Sequence, residues 1–410
     1  MNIFSFKEKN YNQIFKPDES LRDIGYSLYN NCILTGRNVF YPNVLIQYDK
    51  QDYLISPYDE KIMSLKKDSF YDDNIYNGYI INCNKILINT PVFFFIYNFD
   101  NYYHFLYDTL PYLYTFLELK KEMPDLKLLV NYPNKFKKEF YKFNIELLEK
   151  IIILNDLFIH DEKYIFKKIY VGSSLTHGGY SNNSPRKEIN FIFEIIKSNT
   201  KKSYDMPKKV YISRRTWINQ DTSNIGTNYT TRRKMINEDE LVDKLNKIGF
   251  TEIFAENLST DEKINLFLSA EIIIGSIGGG MANLLFSSKK TKAILLVTPF
   301  FLEINNRFKY SLENSNLIYF DDIQTYKEDN LIPLFCRVVI NQNNKIGEII
   351  DYSNRKYLIN LSNNDIAGFN NQITYNQVYL SDNEFKLLDH GLNSPYLINI
   401  NGLFDILFTL

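Results

Sequence analysis

The feature that most restricts the fold is the stretch from 205 to 322, where short β-rich runs alternate with helical patterns. The runs are "KKVYIS", "FTEIFAE", "EIIIG", "AILLVT" and "LIYFDD", rich in branched and aromatic residues. Two of the helices between them open on a capping pair: Asn237 with Glu240 in "NEDELVDKLNKIGF", and Ser259 with Glu262 in "STDEKINLFLSA". A Ser or Asn followed three residues later by Glu satisfies free N–H groups of the first helical turn from both sides. Leu241, Leu245 and Ile248 share one helical face, and Gly249 supplies the stop. Strands joined through helices pair in parallel, so the order predicts a parallel, doubly wound sheet.

Within that frame, "EIIIGSIGGGMANLLFSS" (271–288) predicts a strand, a turn from Gly275 through Gly278, Gly279 and Gly280, and a helix from about Met281. In open α/β sheets ligands bind beyond the carboxyl ends of strands, where glycines let the backbone approach and a helix N-terminus presents unpaired N–H groups. The turn is not a phosphate-binding loop of the Gly-Lys-Ser/Thr type. Nor is it the dinucleotide fingerprint, because Asn283 stands where the third glycine belongs. Taken alone it reads equally as a diphosphate cradle or as a packing corner. Arg214 and Arg215 follow the strand "KKVYIS", and Arg232 and Arg233 stand in the loop beyond. Planar guanidinium forks suit diphosphate oxygens, although arginines at a strand end are also commonly solvated or salt-bridged.

Upstream, "KILINTPVFFFIYNFD", a helix over "NYYHFLYDTLPYLYTFLELKKEM", the strand "DLKLLVN" and the helical "NKFKKEFYKFNIELLEK" suggest a second α/β unit. The helix "PRKEINFIFEIIKSN", with Pro185 at its start, joins the two. His104 and Asp108 lie four apart and share a helical face, so the carboxylate can orient the imidazole, or either group can act as a general base. Pro111 lacks an N–H and is expected either to kink this helix or to mark a short first turn before a second segment. After Asp322 the pattern weakens into pieces such as "CRVVIN", "GEIID" and "NQVYLS". The domain reading is therefore 1–200, 201–322 and a partly β-rich extension over 323–410.

Composition narrows the function classes. The chain has 410 residues, 47 Lys and Arg against 48 Asp and Glu, and a net charge of −1, so no global field recruits nucleic acid or anionic lipid. Cys32, Cys83 and Cys336 lack disulfide or zinc spacing, which favours a reducing compartment. His160, His177 and His390 lack metal-ligand spacing, and no metal or cofactor is expected. No secretory signal is expected at "MNIFSFKEKNYNQIF". The longest apolar run, "KAILLVTPFFLEI", contains Pro299 and is about half the ~20 residues of a spanning helix, so membrane contact is expected to be peripheral.

Together these segments resemble glycosyltransferase family 61, over roughly residues 90 to 322. "NYYHFLYDTLPYL", "VYISRR", "RRKMINEDELVDKLNKIGF" and "LSTDEKINLFLSAEIIIGSIGGGMANLLFS" follow the order of the family's segments. One position departs: the family's turn carries a His where this chain has Ile277, which puts the usual donor, or activity itself, in doubt. The resemblance implies a GT-B-like α/β fold of two Rossmann-like domains facing a cleft, and an inverting transferase without a required metal. A nucleotide-sugar donor and a glycan or glycolipid acceptor follow, with surface polysaccharide as the product and the cytoplasm, at the inner face of the membrane, as the place of action. Arg214, Arg215, Arg232, Arg233, Gly275, Ile277, Gly278, Gly279, Gly280 and Asn283 would hold the donor. Asp108 would take the acceptor proton, with His104 as its orienting partner. The rival readings are a catalytically silent nucleotide- or carbohydrate-binding protein, motivated by Ile277, and a transferase of a phosphoryl-type group.

Overall fold

A computed structural model describes residues 10–15, 24–34, 44–48, 51–55, 62–64, 86–95, 102–130, 141–161, 164–172, 175–176, 187–203, 205–215, 235–297, 306–321, 323–325, 337–353, 356–361, 376–387 and 395–410. The chain divides into two units, Met1–Lys201 and Lys202–Leu410.

The first unit carries one mixed sheet. Its strands are β1 (Asn10–Phe15), β2 (Ile24–Leu34), β3 (Val44–Tyr48), β4 (Gln51–Ile55), β5 (Ile62–Ser64), β6 (Ile86–Ile88), β7 (Val92–Phe94), β8 (Lys127–Val130), β9 (Leu157–Ile159) and β10 (Tyr164–Gly172). They run in the order β5-β4-β3-β2-β10-β7-β8-β9, with β1 on β2 and β6 on β10. The half from β10 to β9 is parallel, and the meander from β2 to β5 is antiparallel. This is an α/β unit, but less uniform than a plain doubly wound one. The chain advances β7-β8-β9 in one direction and then returns to lay β10 on the other side of β7. That reversal is a topological switch point, the place where open α/β sheets bind ligands.

Helices α1 (Leu113–Glu122), α2 (Tyr141–Glu149) and α3 (Lys187–Ser198) belong to this unit. The predicted long helix over 101–123 is not continuous. Tyr102–His104 is α-helical, Phe105–Thr109 is a π-turn and Leu110–Tyr112 is a 3₁₀ turn. Pro111 has no N–H to return to the preceding turn, and the amide of Leu110 instead reaches back five residues to the Phe105 carbonyl. Phe105, Leu106, Tyr107, Leu110, Tyr112 and Leu113 are all buried, so packing holds the irregular backbone in place. Pro185 lies outside the described residues.

The alternating stretch folds into a parallel sheet of β11 (Lys209–Ile212), β12 (Thr251–Ile253), β13 (Ile272–Ser276), β14 (Lys292–Leu296) and β15 (Leu317–Phe320). The order is β12-β11-β13-β14-β15, and each neighbouring pair is parallel. Helices α4 (Glu238–Lys247) and α5 (Thr260–Ser269) make the first two crossovers. Right-handed crossovers in opposite directions place these helices on opposite faces. Leu241 and Leu245 are buried as their spacing predicts, and Gly249 stops α4 with φ +87°, a conformation that glycine adopts freely.

The capping pairs divide. Ser259 forms the full capping box with Glu262. Asn237 makes no cap: its side-chain amide donates to the Ile398 carbonyl (2.9 Å), and its Oδ1 accepts from the Ile398 N–H (3.1 Å). Beyond Met281 the expected α-helix is a six-residue 3₁₀ segment, Met281–Phe286. Ser287 is already extended and β14 begins at Lys292, which leaves no length for an α-helix. Likewise the predicted helix "EINNRFKYSLEN" is 3₁₀ over Asn306–Tyr310 among its described residues.

β16 (Ile323–Thr325) follows the sheet. A separate antiparallel sheet then forms from β17 (Arg337–Ile340), β18 (Ile346–Ser353), β19 (Lys356–Leu361), β20 (Asn376–Leu380) and β21 (Phe385–Leu387), around Val338, Ile349, Tyr357, Ile359 and Phe385. The chain then returns. β22 (Tyr396–Ile398) pairs with β16, and helix α6 (Ile400–Leu407) follows. Ile400, Leu403 and Leu407 join Leu241, Leu245, Ile274, Ile294 and Phe320 in one core on the parallel sheet. Among the described residues no helix is long and apolar enough to cross a membrane.

Candidate functional site

The order β12-β11-β13 makes the gap beyond the carboxyl ends of β11 and β13 the switch point of the second unit. Arg214 leaves the end of β11, and the glycine turn leaves the end of β13. The structure brings them together. Arg214 Nη1 lies 3.4 Å from the Ile277 carbonyl, and a Cβ added at Gly278 would sit 2.7 Å from that nitrogen. Gly278 is therefore glycine because a guanidinium occupies the space of its side chain. Gly275 and Gly280 answer to packing: a Cβ at the first would meet Met281 Sδ at 2.6 Å, and at the second Ile212 Cγ2 at 2.8 Å. A Cβ on the exposed Gly279 would meet nothing within 4 Å. Packing thus accounts for Gly275 and Gly280, and the Arg214 side chain for Gly278.

Arg215 takes no part in the turn. Its Nε and Nη2 form a fork with Glu252 at 2.6 and 2.7 Å, and Nη1 meets Asp239 at 2.6 Å. Two carboxylates already satisfy it, which corrects the expectation that both arginines of the pair face a ligand. Asn283 is 1% exposed and donates to the Gly280 carbonyl at 2.9 Å, fixing the turn from beneath. With only a 3₁₀ segment after Gly280, the expected helix-terminal charge falls away as well. Ile277 is buried at 4% exposure, its amide bound to the Leu296 carbonyl. Arg232 and Arg233 lie outside the described residues.

Sequence reading passed over Glu238. It is 1% exposed, and its Oε1 accepts from the Tyr211 hydroxyl (2.8 Å), the Ser213 hydroxyl (3.2 Å) and the Arg214 amide (2.9 Å). Burial pushes its carboxyl up, and the bond from the Arg214 amide leads the opposing pulls. The available signal was its place in "RRKMINEDEL", where a charged residue sits beside two others yet belongs to the core.

Glu256 lies just beyond β12, in the 3₁₀ turn Ala255–Asn257 beside Gly280. Burial pushes its carboxyl up, its own amide, Lys263 and Arg214 pull the other way, and among the described residues its buried Oε1 has no hydrogen-bond partner. A carboxyl raised in the fold holds its proton more tightly there than in the unfolded chain. It therefore favours the fold below the unfolded pKa, and that advantage is lost as pH rises through the folded value. Glu256→Gln, which cannot ionise, is expected to raise Tm over wild type by about 2–4 °C near neutrality, the gain vanishing below pH ~4. Melting curves across that range check it; a gain independent of pH would refute the assignment.

In the first unit, His104 and Asp108 follow the carboxyl end of β7, and Thr176 follows that of β10. These are the two strands at that sheet's switch point. His104 Nδ1 lies 2.5 Å from Asp108 Oδ2, and Thr176 Oγ1 donates to Asp108 Oδ1 at 3.3 Å. The carboxylate side chain is 1% exposed and the imidazole 20%. The pair expected from spacing is therefore formed, with Thr176 as a partner that spacing did not reveal. Gly172 ends β10 where a Cβ would come within 2.9 Å of the Phe93 ring and 3.1 Å of Tyr112, so the irregular helical segment packs closely on this strand. Among the described residues no group of three or more His, Cys, Asp and Glu side chains is placed to hold a metal ion.

The described groups are thus a glycine turn beside Arg214 at the switch point of a parallel sheet, and a buried carboxylate holding an imidazole beside the parallel half of a mixed sheet. The family model Glycosyltransferase 61 matches residues 102–294, which include all of these groups, and this match supports a glycosyltransferase of that family. No curated protein matches the chain.

Proposed function

We propose that the protein moves a sugar from a nucleotide-sugar donor to a hydroxyl of a glycan or glycolipid acceptor, in the cytoplasm, for a surface polysaccharide such as a capsule. The observation that carries the donor half is the Arg214 guanidinium lying in the space above Gly278 at the β11/β13 switch point. A planar cation on a part-exposed backbone turn matches the oxygens of a diphosphate, and it can stabilise the departing nucleoside diphosphate in the role that a metal fills elsewhere.

We place proton transfer at His104. Asp108 is the more deeply buried of the pair and both its oxygens are engaged, so it suits orienting the ring through Nδ1, and the more exposed imidazole suits taking the acceptor proton. This reverses the roles expected from sequence. A single displacement of this kind inverts the anomeric carbon, and the reading as a whole keeps a GT-B-like, metal-independent transferase. Ile277 favours one alternative, a protein that binds the donor without turnover, because an alkyl side chain makes no polar contact to a sugar.

Calorimetric titration with UDP, GDP, CDP and ADP tests the donor half. At least one is expected to bind, and Gly278→Ala, whose methyl displaces Arg214, to weaken it about tenfold with little loss of stability. Equal affinity in the variant would sink the role of Arg214. Transfer assays over a nucleotide-sugar panel, with NMR of the product anomer, separate enzyme from silent binder.

A further inference from the structure

The structure assigns Tyr396 a positioning role in the donor site, from a strand outside residues 102–294 of the family match. The inference rests on the donor reading above. Tyr396 is the first residue of β22 and 2% exposed; its hydroxyl lies 2.6 Å from that of Ser276, which is 6% exposed. Ser276 is the last residue of β13, and the next carbonyl, that of Ile277, is the one Arg214 approaches. A buried hydroxyl pair fixes both side chains, since neither has water to turn to. Tyr396 therefore sets where the strand ends and the glycine turn begins.

The same strand grips the other side of Arg214. The amide of Ile236 donates to the Tyr396 carbonyl at 2.8 Å, Met235 bridges to Tyr396, and the Asn237 side chain binds the Ile398 backbone in both directions. The next residue is Glu238, which receives the Arg214 amide. β22 thus holds the main chain of Arg214 through Glu238, and the turn facing its guanidinium through Ser276. Two segments remote in sequence are kept in register by a third, and their register decides where the cation meets a diphosphate.

Tyr396→Phe keeps the ring in the core and removes only the hydroxyl. The probes are UDP, GDP, CDP and ADP, titrated into the full chain, with the tightest used for the variants. Tyr396→Phe and Ser276→Ala are each expected to weaken binding by about five- to tenfold. The double variant removes both partners of the pair, so it should cost less thermal stability than the two single variants summed yet bind no better than either. Affinity that returns together with stability would mean that the pair serves only to hold the fold, and would overturn the positioning role. Wild-type affinity in the single variants would overturn it too, while leaving the donor reading intact. If the wild-type protein bound none of the four nucleotides, the donor reading would fail and this inference with it.

Discussion

His104→Ala is expected to slow sugar transfer by about 10²- to 10⁴-fold, with nucleoside diphosphate affinity unchanged. A base that takes the acceptor proton acts on the chemical step, so its loss should appear in kcat rather than in donor binding. Asp108→Asn is the informative partner. The amide nearly preserves the shape of the side chain but removes the carboxylate oxygen that fixes Nδ1 of the imidazole. It should lower kcat by a comparable factor. Full activity of His104→Ala combined with an inactive Asp108→Asn would return the base to Asp108. Full activity of both would remove the pair from the mechanism.

Glu238→Ala should destabilise the second unit by about 3 kcal/mol or more, because it strands buried donors on Tyr211, Ser213 and the Arg214 amide at once. Glu238→Gln keeps an acceptor oxygen in place and should cost distinctly less. Denaturant unfolding of the two variants, side by side, measures the difference. Equal and small effects would mean that solvent reaches these donors when the carboxylate is gone. Burial also opposes ionisation of Glu238. The penalty of Glu238→Ala should therefore be compared at fixed pH, since the wild-type reference itself loses stability as pH rises through the folded pKa.

The parallel sheet was legible in the sequence because its signals are local. The Ser259 capping box, the Leu241 and Leu245 face and the Gly249 stop each need only a few neighbouring residues to operate. The His104–Asp108 pair was legible for the same reason, being one helical turn long. What escaped depends on partners far along the chain. Asn237 has the residue type and place of a cap, but the Ile398 backbone outcompetes its own helix for the amide. Arg214 and Arg215 are identical side by side, and only the fold shows that Glu252 and Asp239 claim the second. Thr176 reaches Asp108 across a return of the sheet that periodicity does not encode. The helix after Gly280 failed for a simpler reason: apolar residues in "MANLLF" fit a helical pattern, but the distance to β14 allows only a 3₁₀ turn.

The cover of the parallel sheet arrives late in synthesis. Its last strand ends at Phe320, whereas Ile400, Leu403 and Leu407 complete the core on its face. A nascent chain that has emerged only as far as β21 would present Leu241, Ile274 and Ile294 without those partners, and long-range closure of this kind is slow and exposed to aggregation. Emergence of α6, rather than completion of the five-stranded sheet, would then time the folding of this unit, and a chain cut between β21 and β22 would be one that chaperones and proteases treat as unfolded.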